Sequence, residues 1–225
     1  MANWIHNELT IELEDNSLLE KIEEELKGDN GSLDFNKVIP MPETMNVESG
    51  SLEGDRLKYF CLKTNTPMPN NLGKYRLYQM VKKDGTAYTL KDYEEFLKSH
   101  EHQRMGYCGD SNTKKAWLKE GEKIYINITK YGYKDWYDWS NAKWNTKWNA
   151  SNVEIDKDTN KLVYTFSTAW APPYPIAKEI SRKYKANVTL FAYDEDDLSP
   201  YMEYTYSNGE EEAYNEYPRE EEEEE

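Results

Sequence analysis

YGYKDWYDWSNAKWNTKWNA over residues 131–150, followed by YTFSTAWAPPYP over residues 164–175, is the stretch on which the fold turns. Four of the seven tryptophans, Trp136, Trp139, Trp144 and Trp148, fall within thirteen residues, and Trp170 opens a proline-rich turn. Each such ring buries roughly 150–250 Å², so the cluster reads as an anchor for whatever surrounds it. Between the two stretches, residues 153–155 and 162–167 flank Asp-Lys-Asp-Thr-Asn at 156–160, a hairpin turn by composition. Pro172, Pro173 and Pro175 stop the second strand, and Pro175 suits the first turn of a helix whose face is Ile176, Ile180 and Tyr184.

Outward from there, residues 188–193 alternate as a strand. Residues 202–206 and 212–216, joined around Asn208-Gly209, form a C-terminal hairpin. Six glutamates close the sequence at 220–225, and from 218 onward like charges predict a solvated tail. Upstream, residues 7–14 set Leu9, Ile11 and Leu13 on one face of a half-buried strand. Ser17 and Glu20 have capping-box spacing before a helix carrying Leu18, Leu19, Ile22 and Leu26, which Gly28 ends. Residues 33–39 read as a short extended segment ahead of Pro40 and Pro42.

From residue 44 to about 84 the periodicity dissolves, predicting an irregular stretch with short helices. Thr89 caps a helix bearing Leu90, Tyr93, Phe96 and Leu97. A second helix starts at Ser111 or Asn112 and runs through Trp117, Ile124 and Ile128 towards Tyr131, although Ile124, Ile126 and Ile128 also alternate as a strand would. Gly121 in its middle costs about 1 kcal/mol relative to alanine unless a neighbour packs closely against it. The order predicts an α+β protein: a ferredoxin-like, largely antiparallel sheet with helices on one face, interrupted by a long helical and irregular insertion at about 44–130. One domain over residues 1–217 is expected.

Composition narrows the function. With 43 acidic and 28 basic residues the formal charge is −15, a field that repels phosphate backbones and anionic lipid. Direct nucleic-acid binding is therefore disfavoured. Hydrophobic residues make up only 37%, but 19 tyrosines and 7 tryptophans argue against disorder. The N-terminal residues have neither the basic nor the apolar region of a secretory signal, and no apolar run approaches the roughly 20 residues of a membrane span. Cys61 and Cys108 are too few for a disulfide framework. A cytoplasmic protein with reduced thiols is expected, with chance sequons at Asn127, Asn149 and Asn187.

Chemistry-bearing patterns are sparse. His100, Glu101, His102 and Cys108 lack metal-ligand spacing, so a solvated helix end is the plainer reading. His6, between Asn3 and Asn7, reads as a hydrogen-bonding residue at the strand entry. The acidic runs at 194–197 and 210–212 lack the glycine and terminal glutamate of an EF-hand. There is no phosphate-binding glycine loop, nucleophile elbow or zinc-protease helix. No catalytic residue, cofactor or metal is expected. The candidate contact residues are Trp136, Trp139, Trp144, Trp148 and Trp170, with Lys143 and Lys147 interleaved: packing rings on one reading, a stacking surface on the other.

Four ordered motifs carry a family resemblance: MANW-x-HNELTIE at the start, LDFNKVIPMPE over 33–43, the tryptophan run over 131–150, and TAWAPPYP over 168–175. Together they resemble the Api92-like family with a YubB-type ferredoxin-like domain, whose members occur in phages, plasmids and other mobile elements of bacteria. Relatives often carry cysteine where this chain has Ile5 and Ser140, and glycine in place of Asn145. The resemblance implies the ferredoxin-like fold and a mobile-element setting, without a reaction to carry over. Combined with the acidity, it leads to a non-enzymatic accessory protein that binds a host macromolecule, with a host protein as the expected partner, the acidic surface imitating a nucleic-acid backbone and inhibiting a host defence system. The alternative is a small-ligand or nucleotide-binding domain that uses the tryptophan cluster.

Overall fold

The computed structural model describes residues 3–13, 15–29, 31–50, 52–72, 80–99, 113–195 and 199–218. In chain order the elements are β1 (Trp4–Glu12), α1 (Leu19–Leu26), α2 (Glu53–Thr64), α3 (Leu90–Ser99), α4 (Lys114–Ile126), α5 (Trp136–Lys143), β2 (Ser151–Asp158), β3 (Lys161–Ala169), α6 (Tyr174–Tyr184), β4 (Asn187–Asp194), β5 (Tyr201–Ser207) and β6 (Glu210–Tyr217). They fall into two compact units, Met1–Met41 with Ser140–Glu225, and Pro42–Trp139.

The first unit is a six-stranded antiparallel sheet in the order β2-β3-β1-β4-β5-β6. Its first four strands, with α1 and α6 as the two crossovers, make the ferredoxin-like arrangement, and the β5–β6 hairpin extends it beyond β4. Strand alternation decides which side is covered. Ile5, Leu9 and Ile11 of β1, Leu162, Tyr164 and Phe166 of β3, and Val188, Leu190 and Ala192 of β4 are buried with Leu19, Ile22 and Leu26 of α1 and Ile176, Ala177 and Ile180 of α6. Burying each of the larger aliphatic side chains contributes about 1.5–3 kcal/mol.

The last hairpin turns at Asn208 (φ 53°) and Gly209 (φ 83°), as two-residue hairpin loops require. A Cβ on Gly209 would stand 2.6 Å from the Arg182 Cβ, and its N–H donates to the Ser181 hydroxyl at 3.0 Å. This close approach ties the hairpin to α6.

Local differences from the sequence expectation have identifiable causes. β1 begins at Trp4, ahead of residue 7, because Trp4 pairs with Ala169. Residues 33–39 do not form a strand. Leu33 makes a single bridge to Lys27, after which Asp34 accepts the Asn36 N–H at 2.9 Å and nucleates a 3₁₀ turn over Phe35–Lys37.

In the second unit α2 packs against α4. Gly121 permits the contact: a Cβ there would lie 2.3 Å from the Arg56 carbonyl oxygen and 2.6 Å from the Phe60 Cβ. Leu57, Cys61, Ile124 and Ile128 fill this helix pair, while Tyr59, Tyr93, Leu97 and Trp117 form a second cluster. Thr113 caps α4 by accepting the Ala116 N–H at 3.0 Å. α4 then widens into a π-helical turn, Asn127–Tyr131, which Gly132 ends at φ 80°. α2 is a regular twelve-residue helix inside the stretch expected to be irregular with short helices, whose bounds the sequence did not place. It buries Glu53, Gly54, Arg56 and Lys58 beside its apolar residues, so no apolar stripe marks it.

Candidate functional site

The structure divides the tryptophans. Trp139 and Trp144 are 4% and 3% exposed, whereas Trp148 and Trp170 are 40% and 45% exposed. Trp144 donates its indole N–H to the Ile39 carbonyl at 2.9 Å and meets Phe35 edge-on at 5.8 Å. Trp136 is half-buried and edge-on to Tyr137. Lys143 is exposed in the last turn of α5. The Lys147 Nζ lies 4.3 Å from the Trp148 ring centre and 4.8 Å from that of Trp170. Trp4 stands 6.0 Å from Trp148. Trp148 and Trp170 therefore make one exposed pair around the half-buried Lys147, and Trp139 and Trp144 serve packing.

Local hydrogen bonds set that group in place. The Thr146 hydroxyl donates to the Ala169 carbonyl at 2.9 Å. Asn145 sits at φ 63° and donates from its side-chain amide to the Pro172 carbonyl at 2.9 Å. A left-handed position favours glycine, with asparagine the next most tolerant choice. Trp170 has φ 74°, an outlier for a bulky residue that costs on the order of 1–3 kcal/mol. Its N–H donates to the Asn3 carbonyl at 2.9 Å.

The second feature is the sheet face turned away from α1 and α6. Residues alternate onto it along each strand: Trp4, His6, Glu8, Thr10 and Glu12 from β1, and Thr189, Phe191 and Tyr193 from β4. One part is aromatic. His6 stacks on its cross-strand neighbour Tyr193 at 5.1 Å, with its Nε2 3.6 Å from Glu195. Tyr201 stacks on Phe191 at 5.4 Å and meets Tyr193 edge-on at 5.5 Å.

The other part is acidic. Thr165 is flanked by Glu8 and Glu154, Val163 by Thr10 and Asp156, and Lys161 by Glu12 and Asp158. Three successive rungs thus carry five carboxylates and one lysine. Lys161 bonds Glu12 at 2.6 Å, and this hydrogen bond raises the lysine pKa.

A third cluster lies in the second unit. The Lys134 ammonium is 2.7 Å from Glu53, bonds Asp135, and reaches Asp138 at 4.0 Å. Burial pushes the Glu53 carboxyl up, and the Lys134 hydrogen bond offsets this only in part. Burial also opposes ionisation of Asp135, but the Asp138 N–H and Lys134 outweigh it and hold its pKa down. Asp135 accepts that N–H at 2.8 Å, so it caps α5.

Cys61 is buried and its thiol is pushed up to about 11 by desolvation, the opposite of an activated thiolate. Among the described residues no group of three or more His, Cys, Asp or Glu is placed to hold a metal ion. The segment from His100 to Cys108 and the tail beyond Pro218 lie outside the described residues. Among the described residues no helix is long and apolar enough to cross a membrane.

The architecture is that of an α+β, ferredoxin-like protein with one sheet face turned away from its two crossover helices. Residues 143–225 match a family model described as the ferredoxin-like domain in Api92-like protein. That segment holds β2 to β6 and α6, and the match assigns it no reaction. A crystal structure of a protein api92 from Yersinia pseudotuberculosis is similar over 98% of this chain and 100% of that one, at 11% identity and a TM-score of 0.47. Among curated proteins nothing matches.

Proposed function

We propose that the protein is a non-enzymatic accessory protein of a bacterial mobile element that binds a basic host protein through the open face of its sheet. In the host cytoplasm this contact would inhibit a defence system by occupying a groove built for nucleic acid. The observation that carries the reading is the set of three rungs with five carboxylates and one lysine. Alternate residues on a strand lie about 7 Å apart, and β1 and β2, with β3 between them, about 9.6 Å. The carboxylates therefore form a dense negative array that attracts a basic groove and steers its approach.

The test is affinity capture from a bacterial lysate with the wild-type protein and with a Glu8→Gln, Glu154→Gln, Asp156→Asn variant. A basic protein should be retained by the wild type, released as salt screens the contact, and lost with the variant. Equal retention by both proteins would refute the reading.

A second reading rests on Trp148, Trp170 and Lys147, whose exposed rings and cation suit a nucleotide, stacking being worth about 1–3 kcal/mol per base. Thermal-shift and tryptophan-fluorescence screens with nucleotides test it, and no response to any of them would remove it.

A further inference from the structure

We infer that Trp148 and Trp170 are walls of a cation-binding cage that Lys147 of the same chain occupies, and that an arginine of the basic partner replaces Lys147 on binding. This rests on the proposed function and names the contact that would give it specificity. The Lys147 Nζ lies over both indole rings, at 4.3 and 4.8 Å, inside the roughly 6 Å range of a cation–π contact, for which tryptophan is the best partner. The group thus already holds a cation.

Three further observations point to a replaceable occupant. Both rings stay 40–45% exposed, open to a group arriving from outside. Trp170 holds its indole there on a left-handed backbone, φ 74°, where glycine would sit without strain. Trp4, 6.0 Å from Trp148, lies on the same face of β1 as His6 and Glu8, so the cage continues the acidic and aromatic face.

Arginine fits the exchange better than a second lysine. Its guanidinium is planar, weakly hydrated and stacks on aromatic faces, whereas a displaced ammonium is strongly hydrated and returns readily to water. One cation leaves the rings as another arrives, so the local charge balance is kept. The attraction of the neighbouring carboxylates then supplies the bias towards the partner.

The probe is an eight-residue peptide of alternating arginine and serine, compared with its lysine and citrulline counterparts by calorimetry and tryptophan emission. The expected order is arginine tightest, then lysine, with neutral citrulline not binding. Lys147→Met should tighten the arginine peptide about 3–10-fold by emptying the cage. Lys178→Met, which removes the same charge from an exposed position on α6, should change it far less. Trp148→Ala and Trp170→Gly should each weaken it about 3–10-fold without lowering the thermal midpoint.

Equal effects of the two lysine variants, or indifference to both tryptophan variants, would overturn the cage. If salt-sensitive binding of the peptide survives that result and is lost in the Glu8, Glu154, Asp156 variant, the proposed function stands without the cage. No binding of the arginine peptide at any salt concentration would remove both. Nucleotide binding that weakens in Lys147→Met would replace the cage with the stacking site.

Discussion

Gly121→Ala adds one methyl group at the tightest helix crossing of the second unit. Built on the existing backbone, that methyl carbon would stand 2.3 Å from the Arg56 carbonyl oxygen and 2.6 Å from the Phe60 Cβ, against ordinary contacts of about 3.5–4.0 Å between carbon atoms. The oxygen belongs to the α2 backbone, so no rotamer change relieves the clash, and α2 and α4 must part by roughly 1 Å. Gaps of 0.5–1 Å forfeit about a quarter to a half of each contact's attraction. Leu57, Cys61, Ile124 and Ile128, all buried at this crossing, would bear that loss. Overpacking of this kind costs about 1–3 kcal/mol, occasionally more, while alanine's better helix propensity returns about 1 kcal/mol. The severity of a backbone clash puts the net destabilisation at about 2 kcal/mol. Urea unfolding followed by far-ultraviolet circular dichroism and by the emission of buried Trp117 measures it. Gly50→Ala, where no atom lies within 4 Å of the new carbon, is the near-neutral control. Stabilisation of Gly121→Ala by about 1 kcal/mol, the propensity gain alone, would refute the close packing.

Ser181→Ala removes a buried hydroxyl that donates to the Ala186 carbonyl and accepts the Gly209 N–H; a loss of about 1–3 kcal/mol is expected, with faster amide exchange at Gly209. Asp135→Asn leaves Lys134 with one close carboxylate, Glu53, and should cost about 2–3 kcal/mol in urea unfolding, less than breaking a buried pair outright. Asp92 is held at about 2 by the Lys82 hydrogen bond and then by Thr89, below its ordinary 3.8. A depressed acid stabilises the fold above its unfolded pKa and loses that contribution as pH falls through the folded one, so α3 should lose exchange protection between about pH 4 and 2, and Asp92→Asn should flatten that dependence.

How much was legible depends on where the information sits. The alternation around Leu9 and Ile11, the Asn208-Gly209 turn and the Ile176/Ile180 face are local, and each gave its element. α2 was hidden because it buries Glu53, Arg56 and Lys58, charges that break the apolar period a sequence reader follows. Lys147, Trp148 and Trp170 were recognisable as aromatics interleaved with a cation, but their separation from Trp139 and Trp144 needed the loop pinned by Asn145 and Thr146. The carboxylate rungs were not visible at all. Glu8 and Glu154 are 146 positions apart in sequence and become neighbours only through β3, in a cross-strand register that no single segment contains. A signal for the aromatic part did exist: Phe191 and Tyr193 occupy the alternate positions of β4, where a face meant only for water would carry polar residues.

The acidity takes on a different meaning on the two sides of the sheet. On the helix side carboxylates stand beside cations: Glu24 with Lys27, Glu25 with Lys21 and Lys183, Glu23 with Lys157, and Glu179 with Arg182. Exposed pairs of this kind add little to stability, but they level the local field. On the open face, among the described residues, no ion pair reaches Glu8, Glu154 or Asp156. A charge excess serving only solubility would need no such separation, since interspersed signs with a modest net charge keep a protein dispersed. The three carboxylates along β2 and the two on β1 repel one another across the face, with Lys161 of β3 the one cation in those rungs. On the proposed reading, a cationic partner supplies the positive charge that no ion pair among the described residues brings to Glu8, Glu154 and Asp156, and does so only when bound.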